Sequence, residues 1–252
     1  MKCTFLGTGT SMGVPVAGGF GSEKIKPDPR NQRYRCSVWV ETPEASLIID
    51  TSPEFRLQTI RSNIKKIDLV LITHEHMDHI GGLDDLRIYN YVQKSPIPLL
   101  SSEEAIKSIR SRFEYMFGEN KYPGSTSVEM EVIDSKITFR DVTIEPLAYN
   151  HGAIEIQGYR INDFSYLTDV KSIPDATKEK VAGSDVMVLS GLRWAPEHPT
   201  HLTIPEAVEI ANELNIKQTY LVHMNSYVDH QETNDKLPPH VRLAYDQLEI
   251  TI

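Results

Sequence analysis

Cysteine is scarce: the 252 residues hold two, Cys3 and Cys36. No disulfide framework follows, and a reducing cytosol suits such a chain. Long apolar runs are missing as well. No stretch approaches the roughly 18 apolar residues of a membrane span. The start, Met1-Lys2-Cys3-Thr4-Phe5-Leu6-Gly7, has too short an apolar run for a signal peptide. A cytoplasmic location without a membrane partner is expected. Positive charge is in deficit, with 26 Lys and Arg against 35 Asp and Glu and a formal net charge of −9. That weighs against broad nucleic-acid binding, which needs a basic face, and leaves room only for a local basic patch. Internal repeats, linkers and low-complexity tracts are absent, so residues 1–252 read as one domain. Hydrophobic residues at 40% suffice for a sizeable core, and 24% charged residues suit a soluble protein.

One stretch organises what is present. Thr73-His74-Glu75-His76-Met77-Asp78-His79 follows the apolar run Leu69-Val70-Leu71-Ile72, which reads as a short buried strand. Side chains alternate along extended backbone, so His74 and His76 point the same way. Asp78 and His79 come next, just before Ile80-Gly81-Gly82, where the chain can turn. Four side chains can thus converge on one spot. Imidazoles and a carboxylate are ligands that zinc, manganese or iron accept. A lone His on an apolar face is usually a packed residue, but three His and one Asp within six residues point to a metal site.

Along the chain, Lys2 to Leu6 reads as a strand ended by Gly7-Thr8-Gly9-Thr10-Ser11-Met12-Gly13. That run lacks the Gly-Lys-Ser/Thr ending of a phosphate-binding P-loop. A tight loop near the metal, with Gly where backbones approach closely, fits better. Residues 17–36 form a long polar excursion in which Arg30, Arg33 and Arg35 either serve an anionic substrate or make a solvated basic turn. Ser37–Val40 and Leu47–Ile49 read as a hairpin, and Ser52-Pro53-Glu54 as the capped start of a helix running to about Ser62. Gly81 to Arg87 begins another helix. Ser101-Ser102-Glu103-Glu104 opens a longer one with Ile106, Ile109, Phe113 and Met116–Phe117 at helical spacing and Gly118 past its end. From Val132 short strands are expected at Ile137–Phe139, Val142–Leu147, Ile154–Ile161, Ser165–Leu167, Val186–Leu189 and Thr219–Val222, with a short helix at Asp175–Val181. Thr203-Ile204-Pro205-Glu206 is a capping box for a further helix. A polar stretch, Asp229 to Pro239, precedes a last strand ending at Ile252.

His74-x-His76-x-Asp78-His79 resembles the H-x-H-x-D-H motif of the metallo-β-lactamase-fold hydrolases. The resemblance implies a four-layer αββα sandwich of α/β class. His151, Asp169 and His223 each follow an apolar strand-like run, and strand ends can aim side chains at a shared centre. Singly, each has a structural explanation. Together they complete the dinuclear pattern of that fold. By resemblance, His74, His76, His151 and Asp169 hold one divalent ion, and Asp78, His79, Asp169 and His223 the other. Asp50 matches an early family Asp that lies behind the ligands and either orients an imidazole or helps to shape the site.

Two divalent ions (Zn or Mn, with Fe a third candidate) about 3.5–4 Å apart activate water and hold phosphate oxygens. Phosphodiester hydrolysis then needs a proton donor for the leaving alkoxide. On chemistry alone this is His201 or its neighbour His198. The chain further resembles the PhnP-type phosphodiesterases, relatives of tRNase Z. Phe5-Leu6-Gly7-Thr8-Gly9-Thr10-Ser11-Met12-Gly13-Val14-Pro15, Asp28-Pro29-Arg30-Asn31, Gly82-Leu83-Asp84-Asp85-Leu86-Arg87 and Leu243-Ala244-Tyr245-Asp246 carry the likeness. So does His201-Leu202-Thr203, a His-x-Thr loop whose His is the general acid in such enzymes. Catalysis is therefore expected from Asp78 and His201 on a small or cyclic phosphodiester. PhnP-type chains often hold a structural zinc with three Cys and a His. Here the corresponding loop reads Ala17-Gly18-Gly19-Phe20-Gly21-Ser22, and Ser226 stands three after His223, so no structural zinc is expected. The alternatives are a tRNA 3′-end endonuclease, hydrolysis of a lactone, lactam or thioester on the same metals, and an inactive metal-binding interaction protein. A homodimer is implied by resemblance only.

Overall fold

Alternating aliphatic residues build two sheets that meet face to face. The computed structural model describes residues 1–117 and 124–252. In the first half β1 (Lys2–Gly7), β2 (Ser37–Glu41), β3 (Ser46–Ile49), α1 (Phe55–Arg61), β4 (Leu69–Leu71), α2 (Met77–Ile80), α3 (Arg87–Gln93), β5 (Ile97–Ser101), α4 (Glu103–Arg112), α5 (Glu114–Phe117) and β6 (Val128–Val132) follow in order. The second half holds β7 (Ile137–Phe139), β8 (Val142–His151), β9 (Ile154–Ile161), β10 (Phe164–Leu167), α6 (Asp175–Val181), β11 (Val186–Ser190), α7 (Ile204–Glu213), β12 (Gln218–Val222), α8 (His230–Asn234) and β13 (Val241–Leu243). β14 (Glu249–Thr251) returns to pair with β1.

The sheet orders are β14-β1-β2-β3-β4-β5-β6 and β13-β12-β11-β10-β9-β8-β7. β3 to β6 run parallel, as do β10 to β13. Period-two alternation sorts their side chains. Leu47 and Ile49 of β3 join Tyr159, Phe164, Tyr166 and Val188 in a core between the sheets. Ile48 packs outward with Val70 and Leu99 under Phe55, Leu86 and Ile109. On the opposite outer face Leu147, Met187, Leu189 and Leu221 meet Val181, Ala207 and Ala211. Three apolar layers between four layers of structure make the αββα sandwich of the metallo-β-lactamase fold. In such a sheet the carboxyl ends of parallel strands form the ligand-binding edge. β3, β4, β10 and β12 deliver Asp50, His74, Asp169 and His223 just past theirs.

Several expected boundaries shift. α1 starts at Phe55, and Ser52 does not cap it: its hydroxyl donates to Gln58 Oε1 at 3.0 Å, and its carbonyl accepts from the Phe55 amide. The helix expected from Gly81 begins as a 3-10 turn over Leu83–Leu86. The long helix breaks at Phe113, whose φ of −114° is not helical, before α5. Its expected stop, Gly118, lies outside the described residues. β5, β6 and β13 were not anticipated, and α8 interrupts the polar stretch after Asp229. β8 runs on to His151, making that side chain the last of a strand. The Thr203 capping box forms as the sequence predicts.

Gly82 shows why the turn after the metal motif admits no side chain. A Cβ there would stand 2.3 Å from Ser52 O and 2.5 Å from Phe55 Cβ. Gly82→Ala should therefore destabilise the fold by about 1–3 kcal/mol. Urea unfolding checks this; an unchanged midpoint would contradict the close packing of α1 on this turn.

Candidate metal centre

The site is built on backbone that turns sharply. Asp50, Asp169 and His223 have φ of 62°, 58° and 63°, in the left-handed region that non-Gly residues rarely occupy. Each follows a strand, so the turn swings its side chain off the sheet edge. His74 comes shortly after β4, His76 is the extended residue that precedes the short α2, and Asp78 and His79 lie on α2.

All seven predicted ligand residues meet at this edge. His79 Nε2 is 3.2 Å from Asp78 Oδ2 and 3.2 Å from Asp169 Oδ2. His223 Nε2 is 3.0 Å from Asp169 Oδ1. The ligand atoms of Asp78, His79, Asp169 and His223 lie within 4.8 Å of one another, and those of His151, Asp169 and His201 form a second such group. Asp169 belongs to both. The grouping departs from the sequence expectation in two ways. His74 and His76 stand beside these groups, with ring centroids 5.8 and 5.3 Å from His151, and share a hydrogen bond of 3.0 Å with each other. His201, expected only as a proton donor, sits among the potential ligands.

Orienting contacts come from residues the sequence named only in part. Asp50 Oδ2 is 2.7 Å from His79 Nδ1, and its Oδ1 accepts from the Thr73 amide at 2.8 Å. Thr73 Oγ1 lies 3.0 Å from His74 Nδ1 and bonds Asp50 as well. The Thr200 carbonyl stands 2.8 Å from His151 Nδ1. Thr73 was missed, although a hydroxyl directly before the first ligand was a legible signal. A backbone carbonyl gives none. Arg33 is buried and Arg35 is ion-paired with Glu54. Arg30 pairs with Asp28 at 2.7 Å. The solvated basic turn is thus not formed by all three, since Arg33 is buried.

The electrostatics are those of a cation site. Burial pushes Asp169 up, yet His223 and His79 hold its carboxyl well below the usual range. Asp78 is likewise held low, with His79 outweighing burial. Burial pushes His79 down, but Asp50, Asp78 and Asp169 around it raise it well above an ordinary His. His74 is lowered by burial and then by His79. His79 Nε2, both nitrogens of His223 and Nδ1 of His201 are buried without a hydrogen-bond partner. Unpartnered buried polar atoms cost about 1–3 kcal/mol each, so imidazole nitrogens left this way against carboxylates fit a bound divalent cation.

Comparison with known proteins agrees with this geometry. Residues 46–224 match the family described as beta-lactamase superfamily domain. A crystal structure of a diphosphatase from the PhnP family superposes with a TM-score of 0.91 at 38% identity, covering 100% of this chain and 97% of that one. An octanoyltransferase of Porphyromonas gingivalis is 36% identical over 256 residues, covering 100% of this chain and 52% of the relative. An exodeoxyribonuclease YycJ of Bacillus anthracis is 26% identical over 160 residues, covering 60% of this chain and 56% of its own. The chain thus spans about half the length of the curated relatives it matches. It belongs to the beta-lactamase superfamily of metal-dependent hydrolases, and within it to the PhnP family.

Two outcomes follow from the His79 environment. Because its pKa is raised well above 6.5 in the metal-free chain, His79 carries a proton near pH 7 and must release it to bind a metal. Zinc uptake measured by calorimetry in buffers of different ionisation enthalpy should show net proton release at pH 7; heats independent of buffer would contradict it. Asp50→Asn should weaken zinc binding by about 10–100-fold in a chelator competition, because the imidazole loses its orienting carboxylate.

Proposed function

We propose that the chain is a metal-dependent phosphodiesterase acting on a small or cyclic phosphodiester. His74, His76, Asp78, His79, His151, Asp169 and His223 would hold two divalent ions, zinc or manganese by ligand type. Such a pair, when bound, lowers the pKa of a water and offsets the charge on the phosphate oxygens. With two carboxylates among the ligands the loaded site stays positive and attracts an anion.

The observation that carries the reading is the place of His201. Its ring centroid is 4.7 Å from those of His151 and His223, and its Nδ1 is 3.7 Å from Asp169 Oδ1. The loop that bears it is pinned: the Leu202 amide donates to Val170 O at 2.7 Å, and the Leu202 carbonyl accepts from Leu192 at 2.9 Å. His198, the rival, is tied to Thr200 at 3.2 Å and lies 4.9 Å from His201, one ring further out. In the free chain burial, then His223, push His201 down to about 3, so the imidazole is neutral at pH 7. A phosphate anion bound against the ring would favour its protonated form, and a proton held there would pass to the leaving oxygen.

The diphosphatase name of the PhnP-family relative supports a second reading, hydrolysis of a diphosphate. There the leaving group is a phosphate, which departs with less need of a proton than an alkoxide. The test is purified, metal-loaded protein against bis-aryl phosphate, 2′,3′- and 3′,5′-cyclic nucleotides and an organic diphosphate. His201→Ala should lower kcat on the diesters by about 10²–10⁴-fold with KM little changed. Absence of metal-dependent turnover on every diester overturns the first reading. Diphosphate turnover indifferent to His201→Ala establishes the second.

A further inference from the structure

The imidazoles of the centre are not all held alike. His79 leans on Asp50, His74 on Thr73 and His151 on the Thr200 carbonyl. His223 is fully buried; its Nε2 faces Asp169 Oδ1 at 3.0 Å, while its Nδ1, the nitrogen on which the other imidazoles are steadied, has no hydrogen-bond partner. Behind the ring its aim is therefore set by the backbone, which is itself in the left-handed region at φ 63°. That backbone is clamped one residue on. The Met224 amide donates to Thr8 O at 3.2 Å, and the Thr10 amide donates to Met224 O at 3.0 Å.

The clamping segment is in turn fixed from below. Thr8 Oγ1 donates to Asp246 Oδ1 at 2.8 Å and accepts from Arg33 Nη1 at 3.0 Å. Arg33 Nη1 also reaches Ala244 O at 2.8 Å, and Asp246 Oδ2 accepts from the Tyr34 amide at 2.7 Å. The Gly9 amide closes the ring onto Tyr34 O at 2.8 Å. Thr8, Arg33 and Asp246 are all buried. The two charges meet only through the Thr8 hydroxyl, and Arg33 Nε has no partner. A buried pair so incompletely satisfied contributes little stability, and its best-attested use is to fix one arrangement among several.

We infer that Arg33, Thr8 and Asp246 are positioning residues that aim His223 at the metal centre. This rests on the reading of His223 as a ligand. One hydroxyl carries both links, so Thr8→Val removes them at nearly constant shape and Thr8→Ser restores them.

Zinc titration of chelator-stripped protein, followed by calorimetry and by metal count, provides the test. Thr8→Val should raise one of the two zinc dissociation constants by about tenfold or more and leave the other within about twofold, while Thr8→Ser matches wild type. In a His223→Ala background, Thr8→Val should have no further effect on the remaining ion, as expected when one residue acts through the other. Should Thr8→Val fail to fold, Asp246→Asn, which leaves a single acceptor oxygen for the Thr8 hydroxyl and the Tyr34 amide, is held to the same outcomes. Wild-type binding by these variants overturns the inference. So does an equal weakening of both ions alongside a lowered Tm, which marks general loosening. Wild-type protein that takes up fewer than two zinc ions overturns the two-ion reading itself, and is seen before any variant is made.

Discussion

A carboxylate with no water around it governs the rest of this structure. Asp50 is fully buried, and an ionised group in that position is costly unless its lone pairs are taken. They are taken by the Thr73 amide, the Thr73 hydroxyl and the His79 imidazole. Those contacts fix the end of β4 and therefore the start of the metal motif. They also commit Nδ1 of His79 and leave its Nε2 facing Asp78 and Asp169. The chemistry of the centre follows from satisfying one buried charge behind it.

A second constraint is conformational. Asp50, Asp169 and His223 occupy left-handed backbone, which costs a residue with a Cβ roughly 1–2 kcal/mol. Such strain persists only where surrounding packing over-determines it. Here it is set against β3, β10 and β12, whose residues are buried between or beneath the sheets. The apolar layers thus do more than hold the sandwich together. They keep three chain reversals from relaxing, and so keep ligand atoms from both halves at one edge.

How legible this was in the sequence depended on distance along the chain. The motif from His74 to His79 was plain because its ligands are contiguous. The bounds of β9 and α6 were readable from alternation and from a local stop, and the Thr203 box from two residues three apart. β5 was hidden by Pro98 within a five-residue run that passes straight into a helix cap. β6 was hidden because Glu129 and Glu131 alternate with partly exposed residues at the edge of its sheet. The fate of Arg33 was unreadable, since Ala244 and His230, two of the residues it meets, lie about 200 residues further along the chain. The Thr200 carbonyl was unreadable for another reason: any residue offers one.

The group formed by Asp78, His79, Asp169 and His223 draws on both halves of the sandwich. Those four side chains cannot come together until residue 223 has left the ribosome and β12 has docked. Before that point only a partial set of these donors exists. A chain cut short before β12, or misregistered there, therefore lacks a donor that this group needs.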